Sequence, residues 1–181
     1  MNAVIKVFSI LAAIPLLISG CAEQPAQEEK AAPKVAVYQS ILGKSLTDEA
    51  VADFLASNTC SRIDHFELCK DAGMALWTDS DQIVKMVYLY SGTVDGFRRY
   101  RGELPFGLSF YDPKWKVEEK LRGLNADDAL QPTSLAGLPD EGSSPDRMHY
   151  WAVYKRLNIT IVYNSPLADE DAYIYAILVT K

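Results

Sequence analysis

Three cysteines, two histidines and a short run of arginines hold most of the chemistry open to this chain of 181 residues. Cys60 and Cys69 sit close together in one local segment, so in an oxidising compartment they are expected to pair as a disulfide. Closing so short a loop contributes roughly 2.5–3 kcal/mol in the chain-entropy account. Free structural thiols are the alternative. A metal site would need three or four ligands, and only His65 lies between the two cysteines. Neither His65 nor His149 has E-x-x-H spacing near it, and there is no G-x-S-x-G elbow, Walker loop or G-x-G-x-x-G turn. Asp79-Ser80-Asp81 has the opening residues of a calcium loop but lacks its turn glycine and distal glutamate. The expectation is therefore no catalytic residue, no metal and no cofactor. An enzyme would have to gather His149 with acids such as Asp140 or Asp146.

Recognition is a different matter. Arg98-Arg99-Tyr100-Arg101 is the one basic cluster in the sequence, and arginine and tyrosine dominate the energetics of protein interfaces. Ten tyrosines and three tryptophans are generous for this length. Most belong to core and sheet packing, and any left exposed would mark a binding face. The formal charge of −6 and the absence of a basic arm argue against nucleic acid, because phosphate contacts need clustered lysine and arginine.

The elements that must position these groups begin after the N-terminus. Lys6 precedes an apolar run, Val7–Ile18, too short to cross a bilayer as a helix but suited to a secretory signal. Ile18-Ser19-Gly20-Cys21 then resembles the lipobox of bacterial lipoproteins: an aliphatic residue, two small residues and the thiol that accepts lipid. The resemblance implies a signal peptide over 1–20, lipidation of Cys21 and, with Ala22 rather than Asp following, an outer-membrane lipoprotein facing the periplasm. Residues 21–36 are rich in Ala, Pro, Glu and Gln without apolar periodicity and read as a flexible tether.

Beyond the tether one plan is expected twice, over 37–95 and 96–181. Gly43-Lys-Ser-Leu-Thr-Asp and Gly107-Leu-Ser-Phe-Tyr-Asp each open a turn, followed by a helix, a strand, an acidic hairpin loop and a strand. Ser45 or Thr47 can cap the first helix, whose stripe is Leu46, Ala50, Val51, Phe54 and Leu55. The second has Asp112 as cap, Pro113 at the first helical position, a stripe of Val117, Leu121 and Leu124, and Gly123 to end it. Gly73–Trp77 should pair with Ile83–Tyr90, and Ile159–Tyr163 with Tyr173–Val179. His149–Leu157 should add a strand, and 134–147 reads as a loop. The fold class is thus α+β, two tandem helix–β-hairpin repeats forming an antiparallel sheet with helices on one face.

Such repeats behind a signal peptide resemble the secreted β-lactamase inhibitor protein family. The phrase G-L-S-F-x(6)-V-x(3)-L-x-G (Gly107, Val117, Leu121, Gly123) is similar to repeats of the small lipoprotein subunit of the outer-membrane barrel-assembly machine, with Arg122 standing between Leu121 and Gly123. Both resemblances imply a sheet face that binds another protein. Strand alternation sets Ile174, Ala176 and Leu178 under a helix. It leaves Tyr173, Tyr175, Ile177 and Val179, with Ile83, Lys85, Val87 and Leu89, on the open face, and makes Trp77 and Tyr163 equivalent. The expected contact surface is Trp77, Lys85, Tyr173, Tyr175, Arg98, Arg99 and Arg101. The partner would be another envelope or delivered protein, in an assembly, inhibitor or toxin-immunity role. A small-ligand or glycan-binding lipoprotein is the alternative, and a periplasmic hydrolase a more distant one.

Overall fold

The structure is a computed structural model that describes residues 36–92, 96–125, 140–143, 149–165, 167 and 169–181. The expected signal, Cys21, nearly all of the tether and Asp146 lie outside the described residues.

The chain is α+β. Its elements run α1 (Val37–Ile41), α2 (Glu49–Ser57), β1 (Ser61–Ile63), β2 (Phe66–Cys69), β3 (Met74–Thr78), β4 (Val84–Tyr90), α3 (Lys114–Asn125), β5 (Asp140–Ser143), β6 (Tyr150–Tyr154), β7 (Ile159–Tyr163) and β8 (Ile174–Thr180). The eight strands make one antiparallel sheet in the order β1-β2-β3-β4-β8-β7-β6-β5. Chain neighbours pair by hairpins on either side, and the pairing of β4 with β8 joins the two sides.

Local chemistry explains the elements. Asp48, rather than Ser45 or Thr47, caps α2, accepting from the Ala50 amide at 3.2 Å, while Glu49 complements the helix dipole. Ser45 is used instead in a bridge to Ile83. In α3 the last residue before the helix is Pro113, whose carbonyl accepts from the amides of Lys116 and Val117. Gly123 lies inside the helix, which runs on to Asn125. The β3–β4 turn is organised by Asp79, whose Oδ1 accepts from the amides of Asp81 (3.0 Å) and Ile83 (2.9 Å). The Ile83 bond first, and Lys85 beside it, hold the Asp79 carboxyl below its ordinary range. Asn164 does the same work before β8, accepting from the Tyr173 amide at 2.9 Å.

Register decides which side chains meet the helices. Val87 pairs with Val179 and Leu76, and Leu89 with Ile177 and Met74. Beyond them Ile177 faces Ile161, and Val179 faces Ile159. These residues form one buried core with Ile41, Val51, Val117 and Leu121 from the helices. The opposite face carries Phe66, Leu68, Trp77, Met86, Tyr88, Tyr90, Leu178, Val162, Trp151 and Val153, all half-exposed. Strand alternation had assigned Ile177, Val179, Val87 and Leu89 to that open face and Ala176 and Leu178 to the core, and both assignments are reversed. The reason is a register shift in each hairpin, at Trp77/Thr78 and at Val162/Tyr163. An extra residue, Lys85 in β4 and Tyr175 in β8, flips the parity of everything beyond it. Three further strands escaped the sequence reading: β1, β2, and β5, which lies within the stretch expected to be loop.

Candidate functional site

The expected contact residues fall into two groups at opposite ends of the sheet. Trp77 pairs with Met86, whereas the arginine segment meets β4 at Tyr90. The four-residue interval along β4 is about 13 Å of strand. Trp77 is half-exposed, with its ring 6.4 Å from that of His65. Lys85 is exposed at the bulge and pairs with Asp79 at 3.2 Å.

The second group is gathered at one place. Segment 96–101 crosses the end of β3 and β4, the Arg98 amide donating to the Lys70 carbonyl and the Tyr100 amide to the Tyr90 carbonyl, both at 2.9 Å. Gly73 permits the crossing. Its φ is +70°, and a Cβ there would stand 2.4 Å from the Tyr100 nitrogen and 2.5 Å from the Arg98 carbonyl oxygen. Phe97 stacks on Tyr90 with ring centres 4.1 Å apart, and Tyr100 is buried. Burial first, then Tyr38 and Glu103, pushes the Tyr100 phenol up to about 12, so it stays neutral. With Phe97 and Tyr100 turned inward, Arg98, Arg99 and Arg101 are left exposed.

Arg99 is held in place. Its Nε donates to the Ser91 carbonyl at 2.9 Å, and its guanidinium lies 4.5 Å above the Tyr111 ring and donates to the Tyr111 hydroxyl. Arg98 pairs with Asp71 at 3.1 Å across solvent. Tyr173 is 48% exposed. Tyr175 is half-buried against His149, ring centres 4.1 Å apart, and its carbonyl accepts from the Ser91 amide at 3.0 Å. Around these groups lie three adjoining cavities, all lined by Arg99. One of about 480 Å³ includes Tyr100, Glu103 and Tyr111. A second of about 380 Å³ includes Phe97, Arg98 and Arg101. A third of about 410 Å³ includes Tyr111, Asn164, Tyr173 and Tyr175. Tyr111 was missed by the sequence reading. Its signal was present, an aromatic in the Gly107–Asp112 turn, but that turn was read only as a helix start.

The remaining candidates are scattered. The Sγ atoms of Cys60 and Cys69 are 2.01 Å apart, the distance of a disulfide, and the pair ties the chain ahead of β1 to β2. His65 is exposed and His149 half-buried. Among the described residues there is no group of three or more His, Cys, Asp or Glu that could hold a metal. Nor, among them, is any helix long and apolar enough to cross a membrane.

A separate polar cluster lies between α3 and the outer strands. Lys114, only 5% exposed, pairs with Glu118, with Glu141 at 3.5 Å and with Glu170 at 3.8 Å. Burial pulls its ammonium down, but these carboxylates outweigh it and the net shift is upward. Nearby, burial pushes the phenols of Tyr150, Tyr154 and Tyr163 up, with Glu118 and Glu141 adding to it. Comparison of the chain with protein-family models, with curated proteins and with solved structures returns no significant match.

Proposed function

We propose that this chain is a lipid-anchored periplasmic protein-binding module without catalytic activity, held to the outer membrane through Cys21 and a tether over 21–36. Its body is read as two tandem helix–hairpin units. The strand order supports this, since four strands on each side run outward from the β4–β8 seam. So do matching details: bridges Ser45–Ile83 and Pro113–Tyr173, left-handed Gly73 and Asn158 after one-turn 3₁₀ segments, and a bulge in each inner hairpin. In that alignment Trp77 matches Val162 and Tyr163 matches Thr78, one residue from the equivalence expected from sequence.

The observation that carries the reading is the half-exposed aromatic row Phe66, Trp77, Tyr88, Tyr90 and Trp151 on the sheet face away from the helix core. An apolar surface of this kind, continuous with an arginine–tyrosine cleft, suits the burial of a protein partner. The partner would be an envelope assembly component, a periplasmic enzyme under inhibition or a delivered toxin. A small-ligand or glycan-binding role is the second reading, favoured by the tyrosine-lined cavity of about 410 Å³.

Photocrosslinking in the cell tests the first reading. A crosslinker at Trp77 or Tyr175 of the full chain should give a discrete protein adduct, while one at Asp53 on α2 or Glu119 on α3 should not. Equal adducts from all four positions would refute it. Loss of palmitate incorporation in Cys21→Ser tests the anchor.

A further inference from the structure

We propose that the cleft floored by Ser91 and Gly92 receives an acidic segment of the partner protein, its carboxylates taken by Arg98, Arg99 and Arg101 and its intervening side chains by Tyr111 and Tyr173. This rests on the reading of the chain as a protein-binding module and names the chemistry that the module recognises.

Charge is the first ground. All three arginines line one cavity of about 380 Å³, and no carboxylate stands among its described lining residues. The adjoining cavity of about 410 Å³, which shares Ser91, Gly92 and Arg99, has none among its described lining residues either, whereas Glu103 lines the third, of about 480 Å³. A chain of net charge −6 thus concentrates cations in one concave place, so the cleft's complement is an anion.

The arginines are also prepared for such a ligand. Arg99 is already oriented by Ser91 and Tyr111, so little side-chain freedom is lost when a carboxylate arrives. Among the described residues the Arg98 side chain is engaged by Asp71, a solvent-exposed pair of the kind that is worth little and is readily exchanged. Arg101 makes no ion pair or hydrogen bond among the described residues. Arg101 presents an open planar fork that matches a carboxylate in two parallel bonds, Arg98 one that Asp71 can yield, and Arg99 the Nη hydrogens left over from Ser91 and Tyr111.

The tyrosines narrow the class further. Tyr111 and Tyr173 are 66% and 48% exposed. They offer flat apolar surface between and beside the cations, which a bare inorganic anion would leave in water. A peptide alternating acids with aromatic or aliphatic residues covers both.

Fluorescence anisotropy on the full chain in detergent, with a labelled peptide of alternating Asp and Tyr, tests this. Binding is expected, weakened roughly tenfold in Arg98→Gln/Arg101→Gln and weakened again by added salt. The peptide with Asn in place of Asp should bind at least about tenfold more weakly. An unchanged thermal midpoint separates lost recognition from lost folding, and Arg101→Gln alone supplies the comparison should the double variant fail to fold. Three results would overturn the assignment: no binding at millimolar peptide, equal binding of the Asn peptide, or full displacement by millimolar inorganic phosphate. If the peptide fails while Trp77 and Tyr175 still crosslink to a partner, the module reading stands and the acidic-segment assignment falls. If the peptide binds while no protein is crosslinked, the module reading falls and the assignment of a partner's segment falls with it.

Discussion

The two flanks of the sheet are secured in opposite ways. On the β1–β2–β3 flank the outer hairpin is tied covalently through Cys60 and Cys69, beneath a core of Met74, Leu76, Val84 and Val51. On the β5–β6–β7 flank the same task falls to a charge. Lys114 reaches from α3 to Glu141 on β5 and to Glu170 ahead of β8, its ammonium 5.8 Å above the ring of buried Tyr150. A short edge strand has few hydrogen bonds of its own, so something else must hold it. A covalent tie is indifferent to salt and pH and yields to reductant. An ionic tie has the reverse sensitivities.

The largest expected effect is that of Lys114→Ala. It leaves Glu118, whose side chain is 17% exposed, facing Glu141 without a cation, and should cost about 3–4 kcal/mol in urea unfolding. Because the folded-state Lys114 value is raised, its contribution is complete below the unfolded-lysine value of about 10.4 and is lost as pH climbs through the higher folded value. Stability in Lys114→Ala should therefore fall less steeply than wild type in strong alkali. A loss below about 1 kcal/mol would show that the tyrosine core, not the charge, holds this flank. Next comes Cys60→Ser/Cys69→Ser, expected to cost about 2.5–3 kcal/mol and to speed amide exchange over Ser61–Cys69 while sparing Tyr150–Tyr154. Exchange that rises equally on both flanks would mean that they unfold as one unit. The smallest effect concerns the Tyr154 and Tyr163 hydroxyls, both buried and near one another but forming no well-aligned hydrogen bond among the described residues. Tyr154→Phe removes an unsatisfied group, so stability should be unchanged or raised by up to about 1 kcal/mol. A clear loss would reveal a bond made by that hydroxyl.

The inner hairpins were legible because Met74–Thr78, Val84–Tyr90, Ile159–Tyr163 and Ile174–Thr180 are dense in β-branched and aromatic residues. The outer strands were not. Ser61–Ile63 is exposed at every position and Asp140–Ser143 contains glycine and acids, so pairing with a neighbour, not propensity, makes them strands. The identity of the open face failed for a sharper reason. Alternation is a strict period, and one bulged residue at Lys85 or Tyr175 reverses it, with no local signature in either side chain. The arginine cluster was visible as a run of residues. Its setting was not, because the cleft depends on Gly73 and on Tyr111, which pack against it from distant parts of the chain.

β8 is the latest of the eight strands in chain order, yet it occupies the middle of the sheet between β4 and β7. A nascent polypeptide that has not yet reached Ile174 therefore carries two half-sheets, each with a raw inner border able to recruit foreign strands. Completion closes both borders in one event. The sheet is thus closed only once β8 itself has been made, and a truncation before this strand is expected to give an aggregation-prone fragment, not a smaller working protein.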